Sequence, residues 1–223
     1  MANIIKYPRP MVTVDIVIFS IQNDNLKVLL IKRNIQPYKG SWALPGGFVH
    51  IEEDLDSAAK RELEEETGVK DIYLEQLYTF GDTKRDPRGR VITVAYFALI
   101  KSEDQKLDPK TDVSDADWFL AYKPLKLAFD HSKILDYALK RLQWKLEYTT
   151  VAFQFLPKKF TLTQLQKIYE IILNKTFDKR NFRKKIISLE VLEETGDITK
   201  GVSHRPAKLF QCKTKIGEIL ELI

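Results

Sequence analysis

A single cysteine, Cys212, is all the thiol that this 223-residue chain carries. One cysteine excludes an intrachain disulfide and argues against a cysteine-based metal site. Long apolar runs are missing as well. No window approaches the roughly 20 residues that a membrane-spanning helix needs, so no membrane partner is expected. The opening, Met1-Ala2-Asn3-Ile4-Ile5-Lys6-Tyr7-Pro8, lacks an apolar core followed by a small-residue cleavage site, so no secretory leader is expected. Tandem repeats and low-complexity tracts are also absent. Together these absences point to a reducing cytoplasm. What is present is an ordinary globular composition, 44% hydrophobic and 30% charged. The length suits one domain of usual size and a small second one, at roughly 100–200 residues per domain.

The net charge of +5 is unevenly placed. From Val151 onward Lys and Arg outnumber Asp and Glu, whereas the preceding part is close to neutral. A basic compact segment suits a polyanionic partner, although a solvated basic surface has the same composition.

Hydrophobic patterning gives the order of elements. Val12–Phe19 and Val28–Ile31 flank the polar turn Gln22-Asn23-Asp24-Asn25 and read as a hairpin. Helix formers take over from about Asp54 to Thr67, with Leu55, Ala58, Ala59 and Leu63 at helical spacing and Gly68 placed to end the helix. Strands return at Ile72–Phe80, Val91–Ile100 and Trp118–Leu120, and His131–Leu146 is amphipathic. This alternation predicts an α/β fold: a mixed sheet between helices, an α/β/α sandwich. A boundary is expected within Tyr148–Lys159, where Val151–Leu156 reads as extended, giving domains over residues 1–150 and 151–223. In the second, Thr161 and Gln164 form a capping box for a helix carrying Leu165, Ile168, Tyr169 and Ile172 inward. Asp178 caps another helix, Lys179 to about Ser188, and short strands follow at Val191–Glu194 and Lys208–Cys212. Helix, turn, helix, hairpin is the order of a small winged helix-turn-helix domain.

Two stretches carry chemistry. In the first, Glu62, Glu65 and Glu66 stand at i, i+3 and i+4, which stacks three carboxylates on one helical face. Alone they repel one another. Hard Mg²⁺ (or Mn²⁺) takes such oxygen ligands beside substrate phosphates. Arg61 reaches Glu53 if the preceding loop folds back, and that pair would fix the loop. Gly46 and Gly47 allow close backbone approach. In the second stretch, Lys179, Arg180, Asn181, Arg183 and Lys184 share a broad helical face opposite Phe182, Ile186 and Leu189. An apolar back with basic and amide groups in front is how a recognition helix enters the major groove of DNA. His204, Arg205 and Lys208 fall where a wing would touch the backbone.

From Gly47 the chain runs Gly, five residues, Glu53, seven residues, then Arg61-Glu62-Leu63-Glu64-Glu65-Glu66-Thr67-Gly68-Val69. This resembles the Nudix box at every fixed position. The resemblance implies a loop-helix-loop on an α/β/α sandwich, with Glu62, Glu65 and Glu66 as metal ligands. Glu53, Arg61 and Glu65 are then the catalytic positions, and the water is activated by Glu65 or by a loop residue the sequence does not place. Lys84–Arg90 resembles a loop of the ADP-ribose-handling branch and offers guanidinium forks to phosphates. The positions expected to meet substrate are Arg33, Trp42, Gly46, Gly47, Phe48, Arg85, Arg88 and Arg90, with Tyr38 a further candidate for stacking. Over nearly its whole length the chain resembles the Nudix-related transcriptional regulators, which join a Nudix sensor to a C-terminal winged helix. That implies a ligand such as ADP-ribose, a double-stranded DNA operator and a homodimer. Many such regulators have a damaged box, whereas here every carboxylate is intact. Two other readings stay open: a metabolic ADP-ribose pyrophosphatase whose basic domain docks elsewhere, and a sensor-repressor that binds without hydrolysing.

Overall fold

The computed structural model describes residues 9–70, 72–100, 113–123, 125–201, 206–214 and 217–219. The chain divides into two compact units. Met1–Phe19, Val28–Ala98 and Gln105–Ala138 belong to the first, and Ser20–Lys27, Leu99–Asp104 and Leu139–Ile223 to the second. Among the described residues no helix is long and apolar enough to cross a membrane.

The hairpin is β1 (Met11–Gln22) and β2 (Asn25–Arg33). Its turn places Asn23 and Asp24 at φ 49° and 60°, a region that Asn and Asp enter more readily than most residues. Both strands belong to a seven-stranded sheet with β3 (Trp42–Ala43), β4 (Gly46–Phe48), β5 (Tyr73–Phe80), β6 (Val91–Ile100) and β7 (Val113–Leu120). The main order is β3-β2-β1-β6-β5, with β4 on β1 and β7 on β2. Eight consecutive residues of β1, Thr13–Ser20, are buried, and so are eight of β6. Strands covered on both faces read as continuous apolar runs, which is why these two were legible. β7 begins five residues before the Trp118 start expected from its aromatics, because its first half is polar, with Ser114, Asp115 and Asp117 facing solvent.

Helix α1 (Leu55–Thr67) starts where Asp54 accepts a 2.7 Å bond from Ser57 N and stops at Gly68, φ 76°. It packs against β4 and β7, burying Ala58, Ala59 and Leu63 together with Glu62 and Glu66. Helix α2 (His131–Tyr148) buries Ile134, Leu135, Ala138 and Leu142. The stretch after it differs from expectation. Val151–Phe155 is a turn of 3-10 helix rather than extended chain. Phe153 N donates to Thr150 O and Leu156 N to Phe153 O, both at 3.1 Å. Local bonds thus satisfy the backbone while Val151, Ala152 and Phe153 are buried. β-Branched and aromatic residues mislead here because burial, not strand pairing, selects them.

In the second unit α3 (Leu162–Leu173) opens with the expected capping box: Thr161 accepts from Gln164 N, and Thr161 N donates to Gln164 Oε1 at 2.8 Å. α3 ends at Asn174, φ 50°. Glu170 Oε1 receives Phe177 N and Gln166 Nε2, both at 2.9 Å, and so fixes the turn to α4 (Lys179–Ser188). Asp178 caps α4 by accepting from Asn181 N. Phe182 lies against Tyr169 and Phe177, with ring centroids 5.4 and 5.7 Å apart. The hairpin of β8 (Leu192–Ile198) and β9 (Lys208–Cys212) is antiparallel, with an irregularity between Glu194 and Ile198. β8 thus runs through Thr195-Gly196-Asp197, beyond the expected end at Glu194, because Gly196 at φ 77° lets a bulge continue the pairing. Phe160 and Phe210 exchange backbone bonds of 2.9 and 2.8 Å, which adds a third chain segment to this small sheet.

Candidate functional site

A cleft of about 380 Å³ opens in the first unit beside β1, β4 and α1. Its acidic wall is the face of α1 carrying Glu62, Glu65 and Glu66. Register explains the proximity. β4 lies antiparallel on β1, with Val14 opposite Gly47 and Asp15 opposite Gly46. A Cβ on Gly46 would come within 2.1 Å of Val14 O, and one on Gly47 within 2.2 Å of Glu62 Oε1. Glycine at 46 is required by the β1 backbone, and glycine at 47 leaves room for the Glu62 carboxylate.

Arg61 holds the box together. It donates through Nη2 and Nε to Glu53 at 2.6 and 3.0 Å, and through Nη2 to Phe48 O at 3.2 Å. These bonds keep the Glu53 carboxyl well below its ordinary range, at about 2. Glu53 itself stays outside the cleft, so its role is to secure Arg61 and the loop. Arg61 Nη1 also donates to Glu62 Oε1 at 2.7 Å and to Glu65 Oε2 at 3.2 Å. Glu66 Oε2 accepts Gly46 N at 2.7 Å. Among the described residues no three His, Cys, Asp or Glu side chains therefore stand as a ready ligating set. The donor chemistry nevertheless fits a hard divalent cation: three carboxylates share one wall of the cleft, two of them buried, beside the Gly46–Gly47 backbone.

Burial pushes Glu62 and Glu66 upward, and the charge of Glu62 adds to the effect on Glu66, whose carboxyl rises to about 8. A raised acid binds its proton more tightly in the folded state. Below its ordinary value of 4.5 both states are protonated and nothing is lost. Between there and about 8 the unfolded chain has ionised and the folded one has not, so stability falls as pH rises. In chelator, the melting temperature is expected to fall between about pH 5 and 8 by an amount worth on the order of a few kcal/mol. Glu66→Gln should flatten that slope. A variant that retains the wild-type slope would show the acid to be elsewhere.

The opposite wall is an aromatic and guanidinium stack. Arg88 lies 4.7 Å from the Phe48 ring centroid and 5.4 Å from that of Phe129, while Arg33 lies 4.9 Å from Phe129. Asp86 pairs with Arg88 at 2.7 Å. Burial alone would raise the Asp86 carboxyl, but the bonds from Arg88 bring it below its ordinary value. Burial lowers the Arg33 guanidinium, and the facing charge of Arg88 lowers it further.

Below lies a charged floor. Arg85, its side chain 3% exposed, donates through Nη2 to Asp15 Oδ2 at 3.1 Å and to Asp130 Oδ1 at 2.8 Å, and through Nε to Asp130 Oδ2 at 3.1 Å. His131 accepts Leu44 N on Nδ1 at 2.9 Å, and its Nε2 faces Asp15 Oδ1 at 3.5 Å. Burial lowers the imidazole and keeps it neutral.

The structure brings Arg33, Gly46, Gly47, Phe48, Arg61, Glu62, Glu65, Glu66, Arg85 and Arg88 to this cleft. It does not bring Trp42, whose ring packs edge-on against Phe119 at 4.6 Å, nor Tyr38, which packs against Phe129 at 4.8 Å. Arg90 also stays out, spending its guanidinium on Gly81 O at 2.7 Å. Arg85 is present but is no fork for phosphate, because two carboxylates already occupy it. Thr13, Asp15, Asp86, Phe129 and His131 line the cleft without having been foreseen. The signal for two of them was available: Thr13 and Asp15 are polar residues at i and i+2 in a strand that is otherwise apolar.

In the second unit Lys179, Arg180, Asn181 and Lys184 are exposed on α4. Arg183 is partly buried, and its Nη2 donates to Thr163 Oγ1 at 3.2 Å, tying α4 to α3. His204 and Arg205 lie outside the described residues.

Comparison with known proteins agrees with both halves. Residues 10–138 match the NUDIX domain and residues 152–212 the NrtR DNA-binding winged helix domain. The chain is 45% identical to the ADPR responsive transcriptional repressor NtrR of Acinetobacter baylyi, over 92% of this chain and 83% of that protein. It is 40% identical to the ADP-ribose pyrophosphatase of Methanocaldococcus jannaschii, over 62% of this chain and 77% of that enzyme. Shewanella oneidensis NrtR complexed with a 27mer DNA superimposes with a TM-score of 0.78 at 36% identity, covering 91% of this chain and 93% of that one. The NUDIX domain of the same protein complexed with ADP ribose gives 0.57 at 38% identity, covering 61% and 90%. The expected α/β Nudix sandwich followed by a winged helix is therefore the fold, and the chain belongs to the Nudix family, among the members that carry an NrtR-type DNA-binding winged helix.

Proposed function

We propose that this protein is a repressor that reads a nucleoside diphosphate sugar, ADP-ribose above all, in its Nudix cleft, and binds an operator through α4 and the β8–β9 hairpin. One observation carries the reading: a single chamber joins the three carboxylates of α1 to the Phe48, Arg88, Phe129 and Arg33 stack. A diphosphate needs the first and a flat base the second. Ligand affects transcription only through a difference in its affinity for the DNA-competent and DNA-incompetent states. Two copies on a two-fold operator would place their α4 helices about one helical turn apart.

We also propose that the cleft hydrolyses its ligand slowly, giving AMP and ribose 5-phosphate from ADP-ribose and water. Glu62, Glu65 and Glu66 are the residues to hold Mg²⁺ or Mn²⁺, which would neutralise the diphosphate and acidify a bound water. Arg61 must then release Glu62 and Glu65, while its bonds to Glu53 and Phe48 O keep it in place. Glu65, with 43% of its side chain exposed, is the carboxylate with most room for a water at its side. Arg33 and Arg88 supply the positive charge facing it. The relatives favour both activities, since the A. baylyi protein is named a repressor and the M. jannaschii one a pyrophosphatase.

Binding to duplex DNA from upstream of its own gene, followed by anisotropy with and without ADP-ribose, tests the regulatory part. Absence of sequence-selective, salt-sensitive binding would defeat it. Lys184→Ala is expected to weaken binding to all sequences alike and to reduce the slope of log affinity against log salt by about one. Phosphate release with Mg²⁺ tests the hydrolytic part. Gly47→Ala should lower turnover roughly tenfold by displacing Glu62 from the wall, with the melting temperature little changed. Unaltered turnover would mean that Glu62 has another way to reach its place.

A further inference from the structure

Four buried side-chain polar atoms lack a hydrogen-bond partner among the described residues, and two of them, Thr13 Oγ1 and Arg33 Nη2, belong to residues of the cleft. Buried polar atoms are paired in the great majority of cases, so an orphan inside a binding cleft marks a place where a ligand completes the bonding. Arg33 joins the guanidinium stack. Thr13 is different. It is 6% exposed, and it stands on β1 on the same face as Asp15, two residues on.

The surroundings select what can meet this hydroxyl. Asp15 Oδ2 is taken by Arg85, but Oδ1 faces only the long 3.5 Å contact with His131 Nε2. Since His131 accepts Leu44 N on Nδ1, the proton of the neutral ring lies on Nε2. The floor thus offers a hydroxyl, a carboxylate oxygen and an imidazole N–H. A phosphate is repelled by Asp15. The flat faces that suit a base belong to the Phe48 and Phe129 wall, where the Arg88 guanidinium stacks, rather than to this floor. Groups that both donate and accept, as vicinal sugar hydroxyls do, fit all three.

We propose that Thr13, with Asp15 and His131, is a specificity floor that binds the hydroxyls of the sugar beyond the diphosphate, so that the cleft separates a nucleoside diphosphate sugar from the nucleoside diphosphate alone. The inference rests on the ligand reading given above and names the part of the ligand that decides it. Thr13 is a specificity residue, and Asp15 and His131 orient the same hydroxyls.

The test is calorimetric titration of the full chain with ADP-ribose and with ADP in metal-free buffer, where no turnover intervenes. The wild type should bind ADP-ribose more tightly than ADP. Thr13→Val keeps the shape and removes the hydroxyl. It should weaken ADP-ribose binding roughly three- to tenfold while leaving ADP within about twofold, and Thr13→Ser should restore the difference. Equal losses for both nucleotides, or no loss, would overturn the proposal. The wild-type comparison does not depend on any variant folding, and equal affinity for the two nucleotides there overturns it as well. Failure of the wild type to bind either nucleotide, with Mg²⁺ as well as without it, would instead sink the ligand reading, and the floor with it.

Discussion

Arg85→Ala is expected to lower the unfolding free energy by about 3–5 kcal/mol, the usual consequence of removing one partner from a buried ionic group. Arg85 is the sole cation bonded to both Asp15 and Asp130 among the described residues, and the side chains of all three are at least nine-tenths buried. Its loss leaves two carboxylates in a medium that solvates them poorly. Arg85→Met, which keeps the volume, should be about as damaging, because the fault is the unpaired charge and not a cavity. Neutralising the carboxylates together, as Asp15→Asn/Arg85→Met/Asp130→Asn, should recover part of the loss. Urea denaturation checks this through the midpoint at constant slope. A shift worth less than about 1 kcal/mol for Arg85→Ala would mean that water reaches the floor and screens it.

Glu62→Gln should reduce Mg²⁺-dependent turnover of ADP-ribose by at least about 100-fold, which corresponds to losing only about 3 kcal/mol of transition-state stabilisation. The amide keeps the length of the side chain and an acceptor for Arg61 Nη1, now 2.7 Å away, so the wall survives. What disappears is a charged ligand. Binding of ADP-ribose in metal-free buffer should hardly change, which separates a metal-ligand defect from a disrupted cleft. Turnover within about threefold of the wild type would remove Glu62 from the ligand set; that ratio is worth only about 0.7 kcal/mol.

Both predictions concern buried charge, and charge is where the sequence was least transparent. The hairpin turn, the glycine end of α1, the capped starts of α3 and α4, and the two central strands were legible because each depends on neighbours in the chain. Thr161 and Asp178 cap helices through atoms three residues away. The box was legible for a similar reason, since one helix displays all its carboxylates. The floor was not. Arg85 meets Asp15 seventy positions away and Asp130 forty-five positions away, and nothing in the run Lys84–Arg90 says which of its cations will be consumed inside the protein. Arg85 was, Arg88 became a stacked side chain, and Arg90 turned to a backbone carbonyl. Phe129 escaped notice because its φ of 51° and its two neighbouring guanidinium groups come from tertiary packing alone. The sequence also overstated the extended character of Val151–Leu156.

The path of the chain from residue 131 to residue 156 has a practical consequence. His131 lines the cleft at the first turn of α2, and the helix runs unbroken to Tyr148. Thr149, Thr150, Val151 and Ala152 follow with no accessible surface, and the 3-10 turn takes the chain on to Leu156. A protease cuts exposed, pliable backbone, and such sites gather in surface loops. None is offered along this stretch, although the two matched families meet there. Sensor and reader should resist being nicked apart at their junction, and digestion should begin elsewhere on the surface.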